Sequence, residues 1–287
     1  VELALDEGEI RAGERGEPIA EIEVELTEGS PAAVFQVADG LVGAGATRLL
    51  AGSKAARGYA LAAGTGPAWV KAEKPALGRE DAVGDALARI LDGVFAQLWA
   101  NLDAAFDGRD PEGVHQLRVA VRRLRSALTL FKPVLASERH AALAGEARWA
   151  MAALGPVRDR DVFATEMLPP VAAAQPNDAA LAALRAAAED ARERAYGELR
   201  TAMSSARWTR FVLALARWVH ARGWYDEADA ATLERLAEPL GGFADRVLDK
   251  RAKAVKKRGK GFARLDAEQR HEVRKSLKKL RYAAEFL

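Results

Sequence analysis

Early in the chain, apolar and acidic residues alternate. Glu21, Glu23 and Glu25 take turns with Ile22, Val24 and Leu26. This is the period of two expected of a strand with one apolar face, so residues 17–29 read as a strand. Gly29, Ser30 and Pro31 punctuate it, and Pro31 suits the first turn of a short helix running to about residue 38. A second strand is expected in ARGYALAAG (56–64), a turn in GTGP and a third short strand in AWVKAEK (68–74). A few short strands are too little sheet to close a domain, because they leave unpaired edges and a half-buried face. The chain opens in mid-pattern. The expectation is that these strands lack the start of their domain or complete something supplied elsewhere. The ending EFL falls inside a helical pattern in the same way.

Past residue 80 the period changes. Val83, Leu87, Ile90, Leu91, Val94, Phe95, Leu98 and Leu102 recur at helical spacing. Pro111, FKP at 131–133, GP at 155–156, PP at 169–170 and Pro176 mark further boundaries. Long helices are predicted over 113–131, 137–154, 158–168, 178–202, 207–222, 228–257 (broken near Pro239) and 264–287. Alanine favours these helices and permits close packing. The expected fold is mostly α, an antiparallel bundle or two smaller bundles joined, preceded by a partial antiparallel β segment. The expected domains are 1–75 and 80–287.

Composition narrows the setting. Of 287 residues, 49% are hydrophobic and 29% charged, as in an ordinary globular protein. Cysteine is absent, which excludes disulfides and thiolate metal sites. No apolar run of 18 residues suggests a membrane span, and VELALDEGEI lacks the features of a signal peptide, so the cytoplasm is the default location. The net charge of +2 hides an asymmetry. Residues 246–281 hold 15 Lys or Arg against 4 Asp or Glu, a local net of +11, which leaves −9 for the rest. Charge so concentrated recruits an anionic partner, or else marks a solvated basic linker.

The most informative feature is an internal repeat. HQLRVAVRRLRSALTLF begins at His115 and HEVRKSLKKLRYAAEFL at His271, 156 residues later. Histidine, the arginine at the fourth position and the Leu-Arg pair at the tenth and eleventh are shared, while Arg122 and Arg123 become Lys278 and Lys279. On a helix with His115 at zero, Arg118, Arg122 and Arg125 fall at about 300°, 340° and 280°. Leu117, Val121, Leu124, Leu128 and Phe131 fall between about 160° and 240°, on the other face. His271, Arg274, Lys278 and Arg281 repeat the stripe, and Lys275, Lys279 and Arg123 widen one flank.

Like charges at these spacings disfavour an isolated helix by a few tenths of a kcal/mol per pair. The stripe is therefore either solvated, paired with acids from neighbouring helices, or neutralised by an anion. Three such cations span about 10–15 Å of helix, and two helices brought together would form a trough far longer than one phosphate. Arginine grips phosphate oxygens in a bidentate fork and lysine adds a mobile point charge, so a linear phosphate polymer suits the pattern. His115 and His271 would bind phosphate as imidazolium or orient the arginines. Two histidines without a carboxylate set argue against a metal site among them.

At these two helices, and in the 149–162 stretch ending VRDRDV, the sequence resembles the CHAD family of conserved-histidine α-helical domains, from about residue 79 onward. The resemblance implies pseudo-symmetric helical bundles without catalysis or cofactor. It also implies binding of inorganic polyphosphate through a basic surface, with association to polyphosphate granules. Carried over by motif, the contacts are His115, Arg118, Arg122, Arg125, His271, Arg274, Lys278, Lys279 and Arg281. Arg158, Asp159, Arg160 and Asp161 lie in the first half's second motif, and their alternating signs suggest an ion network fixing Arg118 or Arg122. The matching motif of the second half would follow Leu287, so that half reads as incomplete.

EGEIRAG, EIEVEL and SKAARGY resemble the last part of a CYTH domain, a β-tunnel triphosphatase fold often fused ahead of CHAD. Arg11, Glu21, Glu23, Glu25, Lys54 and Arg57 are its candidate remnants. The family's first-strand glutamate–lysine pattern is absent, so triphosphate hydrolysis assisted by Mg²⁺ or Mn²⁺ is expected only of a complete tunnel. Nucleic acid ranks below polyphosphate as a partner, because the basic stripe lacks interleaved aromatics for base stacking. The oligomeric state is not encoded in any pattern found.

Overall fold

A computed structural model describes residues 1–45 and 48–287. Two strands, β1 (Glu2–Ala12) and β2 (Arg15–Glu25), form an antiparallel hairpin pairing Glu2 with Glu25 and Ala12 with Arg15. Gly13, with φ of 64°, makes the tight turn between them. Then follow α1 (Pro31–Ala44), α2 (Lys54–Ala63), α3 (Val83–Ala100), α4 (Leu102–Asp107), α5 (Pro111–Leu130) and α6 (Lys132–Leu135). Next come α7 (Glu138–Asp161), a π-helical turn (Val162–Met167), α8 (Leu168–Ala174), α9 (Ala179–Met203) and α10 (Ala206–His220). The described residues end with α11 (Ala230–Ala237), α12 (Leu240–Arg258), a 3₁₀ turn (Phe262–Arg264) and α13 (Ala267–Phe286). The mostly helical class is as expected.

Three local expectations are corrected. ARGYALAAG is not a strand but most of α2. Ser53 caps that helix by accepting from the Ala56 amide at 3.2 Å, and Gly64 closes it with φ of 68°. With caps at both ends, the alanines' helix preference decides. AWVKAEK is not a strand either. The Val70 amide and carbonyl both bond the Asn101 side chain at 3.0 Å, so a buried side chain stands in for a neighbouring strand. Finally, Gly155-Pro156 does not end a helix: α7 runs through it to Asp161. Leu154, Val157 and Asp161 are all essentially buried one turn apart, and keeping that face packed outweighs the missing proline amide.

The chain divides into two units. The first comprises Val1–Lys71, Gln97–Val119 and Arg148–Arg217. Inside it, α2 packs on β1, and α4 and α8 pack on α9. Asp103 ties down the segment before α2 by accepting from Arg48 and from the Ala51 and Gly52 amides. The second comprises Ala72–Ala96, Ala120–Ala147 and Trp218–Leu287. There α12 lies along α13, and Phe131 stacks on Phe243 with ring centres 5.2 Å apart. The starts of α3 and α12 are joined by Val83 N–H to Glu238 O and Leu240 N–H to Asp81 O.

In the first unit α5 begins pressed against α4. A Cβ on Gly113 would lie 2.6 Å from the Ala104 carbonyl. Alanine normally improves a helix over glycine by about 1 kcal/mol. Here the backbone overlap reverses that sign, so Gly113→Ala is expected to lower stability by about 1–3 kcal/mol in urea unfolding.

Candidate anion-binding surface

α5 has the two faces its periodicity predicts. Leu117, Val121, Leu124, Leu128 and Phe131 are no more than 1% exposed. On the other side His115, Arg118 and Arg122 are half-buried and Arg125 is exposed. Arg118 lies beside Gly155, where even a Cβ would come within 3.3 Å of Nη1. This glycine makes room for a guanidinium. Arg118 Nη1 and Arg122 Nε are both buried donors with no acceptor among the described residues.

α13 is started by a reciprocal cap, in which Asp266 accepts from the Gln269 amide and the Gln269 side chain accepts from the Asp266 amide. It buries Val273, Ser276, Ala283 and Phe286. Its cationic stripe of His271, Arg274, Lys278, Lys279 and Arg281 is exposed throughout. The four buried residues are the counterparts of Leu117, Ala120, Ala127 and Leu130, all buried in α5, but the buried side is narrower, and Leu277, the counterpart of Val121, is 49% exposed.

In the second unit aromatic rings join the two copies. The Arg122 guanidinium lies over Tyr282 at 5.4 Å, Arg281 lies 5.0 Å from the same ring, and Arg123 lies over Phe286 at 5.5 Å. Tyr282 escaped the sequence reading because the first copy has Ser126 at its position, so the repeat itself carried no signal for it. Burial pushes the pKa values of Arg123 and Arg251 down. Glu285 opposes this at Arg123 without reversing it. From α12, Arg251 donates to the Lys279 carbonyl at 3.3 Å and Arg258 to Ser276 Oγ at 2.6 Å. Among the described residues Arg281 is ion-paired to Glu285 at 3.1 Å and Lys275 to Glu272 at 2.6 Å, whereas Arg118, Arg122, Arg125, Arg274, Lys278 and Lys279 have no carboxylate partner. For those six cations, neutralisation by neighbouring acids therefore has little to stand on.

Arg158 to Asp161 form the end of α7, with different partners from those expected. Asp161 is fully buried, accepting from Arg192 Nε at 2.7 Å and from the Tyr196 hydroxyl at 3.0 Å. Burial pushes the Asp161 carboxyl pKa up against the pull of Arg192 and Tyr196, and burial together with Asp161 raises that of Tyr196. Arg158 pairs with Glu166 at 2.8 Å, and Arg160 bonds the Pro156 carbonyl at 3.1 Å. The arginine of this network is Arg192, 31 residues along the chain, and its task is to fasten α7 to α9. Asp161→Ala would leave the buried Tyr196 hydroxyl unpaired and Arg192 with Glu189 as its remaining acid. It is expected to cost about 3 kcal/mol in thermal or urea unfolding, with Asp161→Asn costing less.

The hairpin gathers some of its candidates and not others. Lys54 Nζ lies 2.6 Å from Asp6, 2.6 Å from Glu23 and 3.2 Å from Glu21, and Arg57 bonds Glu21 at 2.5 Å. These acids hold the Lys54 ammonium firmly protonated, its pKa raised chiefly by Asp6 and Glu23. Asp6 is new, brought in by its pairing across the hairpin from Glu21. Arg11 pairs with Glu9, away from the cluster, and Glu25 lies opposite Glu2 at the open end. Asp6, Glu21 and Glu23 offer oxygens close enough together for a metal ion, but Lys54 already supplies the positive charge, and an ion would have to displace it.

Fold and surface together define a helical-bundle domain that presents a repeated basic helix. The chain belongs to the CHAD family, whose profile, described as "CHAD domain", matches residues 89–287. Among solved structures, the CHAD domain from the plant Ricinus communis is similar with a TM-score of 0.64 at 30% identity, over 77% of this chain and 71% of that one.

Proposed function

We propose that the helical domain binds inorganic polyphosphate along the basic faces of α5 and α13, and so places the protein on polyphosphate granules. The carrying observation is that Arg118, Arg122, Arg125, Arg274, Lys278 and Lys279 have no carboxylate partner among the described residues, while Arg118 and Arg122 keep buried donors without acceptors. A linear chain of phosphate oxygens satisfies such donors repeatedly, and the half-buried arginines supply a geometry that bulk water does not. No helix among the described residues is long and apolar enough to cross a membrane.

In a titration with long-chain polyphosphate, Arg118→Ala combined with Arg274→Ala is expected to weaken binding at least about tenfold. Wild-type binding should fall steeply with salt as counterions are released. Unchanged affinity in the double variant would remove these helices from the site. At Tyr282 the ring matters and the hydroxyl does not. Tyr282→Ala is expected to lower affinity about fivefold by releasing Arg122 and Arg281, and Tyr282→Phe to leave it near wild type. Loss in both variants would contradict a stacking role.

A second reading, triphosphate hydrolysis assisted by Mg²⁺ or Mn²⁺, draws on the convergence of Glu21, Glu23, Lys54 and Arg57 on the hairpin. It requires divalent-dependent phosphate release that disappears on changing Glu23, and Lys54 would have to yield its place to the ion.

A further inference from the structure

Within the second unit, α12 carries a cationic track of its own. Lys250, Lys253, Lys257 and Lys260 follow one another at offsets of three, seven and ten residues, the spacing of His115, Arg118, Arg122 and Arg125. Gly259 holds a helical conformation with its amide on Val255, so Lys260 continues the turn. All four lysines are exposed, and none has a hydrogen bond or ion pair among the described residues. The acids at the start of this helix are taken by arginines, Glu238 by Arg246 and Asp245 by Arg79. Asp249 is the acid left on the lysine side, at its beginning. Arg251 and Arg258 point the other way, onto α13. The lysines thus occupy the flank and outer face of α12, distinct from the face packed against its neighbour.

The helix dipole accounts for part of this. Cations in the last turn are favoured by about 0.3–1 kcal/mol, which covers Lys256, Lys257 and Arg258. It does not reach Lys250 or Lys253, more than a turn before the helix ends at Arg258, where like-charge spacing is unfavourable. The residue type differs as well. α5 holds half-buried arginines with fixed forks, whereas this track is all lysine, mobile and fully hydrated, the chemistry of a contact that needs charge without register.

We infer that α12 is a second polyphosphate track, taking the continuation of a chain already seated on α13. This rests on the proposed function, and it makes affinity depend on polymer length. Adjacent packed helices lie about 8–10 Å apart, and the track adds about 15 Å of path. A long polymer spans both, and a tripolyphosphate does not.

The test uses the full chain with Lys250, Lys253, Lys257 and Lys260 all changed to glutamine, a good helix former at exposed positions. A second variant has all four changed to arginine. Each is titrated with long-chain polyphosphate and with tripolyphosphate over a salt series. Near about 100 mM salt the glutamine variant is expected to bind the long polymer at least tenfold more weakly, with a log–log salt slope shallower by about 2–3. Its tripolyphosphate affinity should be unchanged, and the arginine variant should keep the wild-type slope. Unchanged long-chain affinity and slope in the glutamine variant, or equal loss for both ligands, overturns the track. Loss confined to duplex DNA in a parallel titration assigns the lysines to nucleic acid and overturns it too. Wild-type chain that binds no long polyphosphate sinks the underlying reading instead, so the two failures are distinguishable.

Discussion

The arrangement depends on one helix that must be apolar on one face and cationic on the other with no acid between. α5 buries Leu117, Val121, Leu124, Leu128 and Phe131 almost completely, and contributes residues to both units. Its apolar face is therefore not free to rotate. The arginines opposite are carried wherever that face dictates, and for Arg118 and Arg122 this means half-burial, with one donor atom each lacking an acceptor. Half-buried cations left without acids cost free energy, and an anion recovers it. On the proposed reading, packing and recognition are two consequences of the same register.

The second copy solves the problem differently. α13 keeps its cations exposed and buries a narrower strip of the same side, Val273, Ser276, Ala283 and Phe286. The link to α5 in the second unit comes from rings: Tyr282 between two guanidiniums and Phe286 beneath a third. Cation–π contacts hold arginines in place without neutralising them, as a carboxylate would. At Arg122, which has no carboxylate partner among the described residues, the charge stays unneutralised. By contrast, Asp161 spends its charge inside the first unit, fastening α7 to α9 through Arg192 and Tyr196.

The helical period, the cation stripes and their repetition could be read without coordinates, because each depends on residues within a few turns of one another. So could the alternation of glutamates and apolar residues in β2, though its pairing with β1 could not. What failed was local structure decided at a distance. Residues 68–74 lost their strand to a side chain at Asn101, and Pro156 failed to break α7 because the residues around it were buried together. The alternating charges after Gly155 pointed to an ion network, but sequence could not supply Arg192, whose nearness to Asp161 comes from folding.

Sequence alone thus determined that the domain is helical and that it carries two matching basic faces, since a 3.6-residue period is a property of the chain itself. Tertiary structure decided which of those cations are exposed or half-buried and which acids reach them. It also seated Tyr282 between the two copies and Lys54 among Asp6, Glu21 and Glu23. Burial and long-range pairing depend on which elements meet, and no periodicity along the chain encodes that.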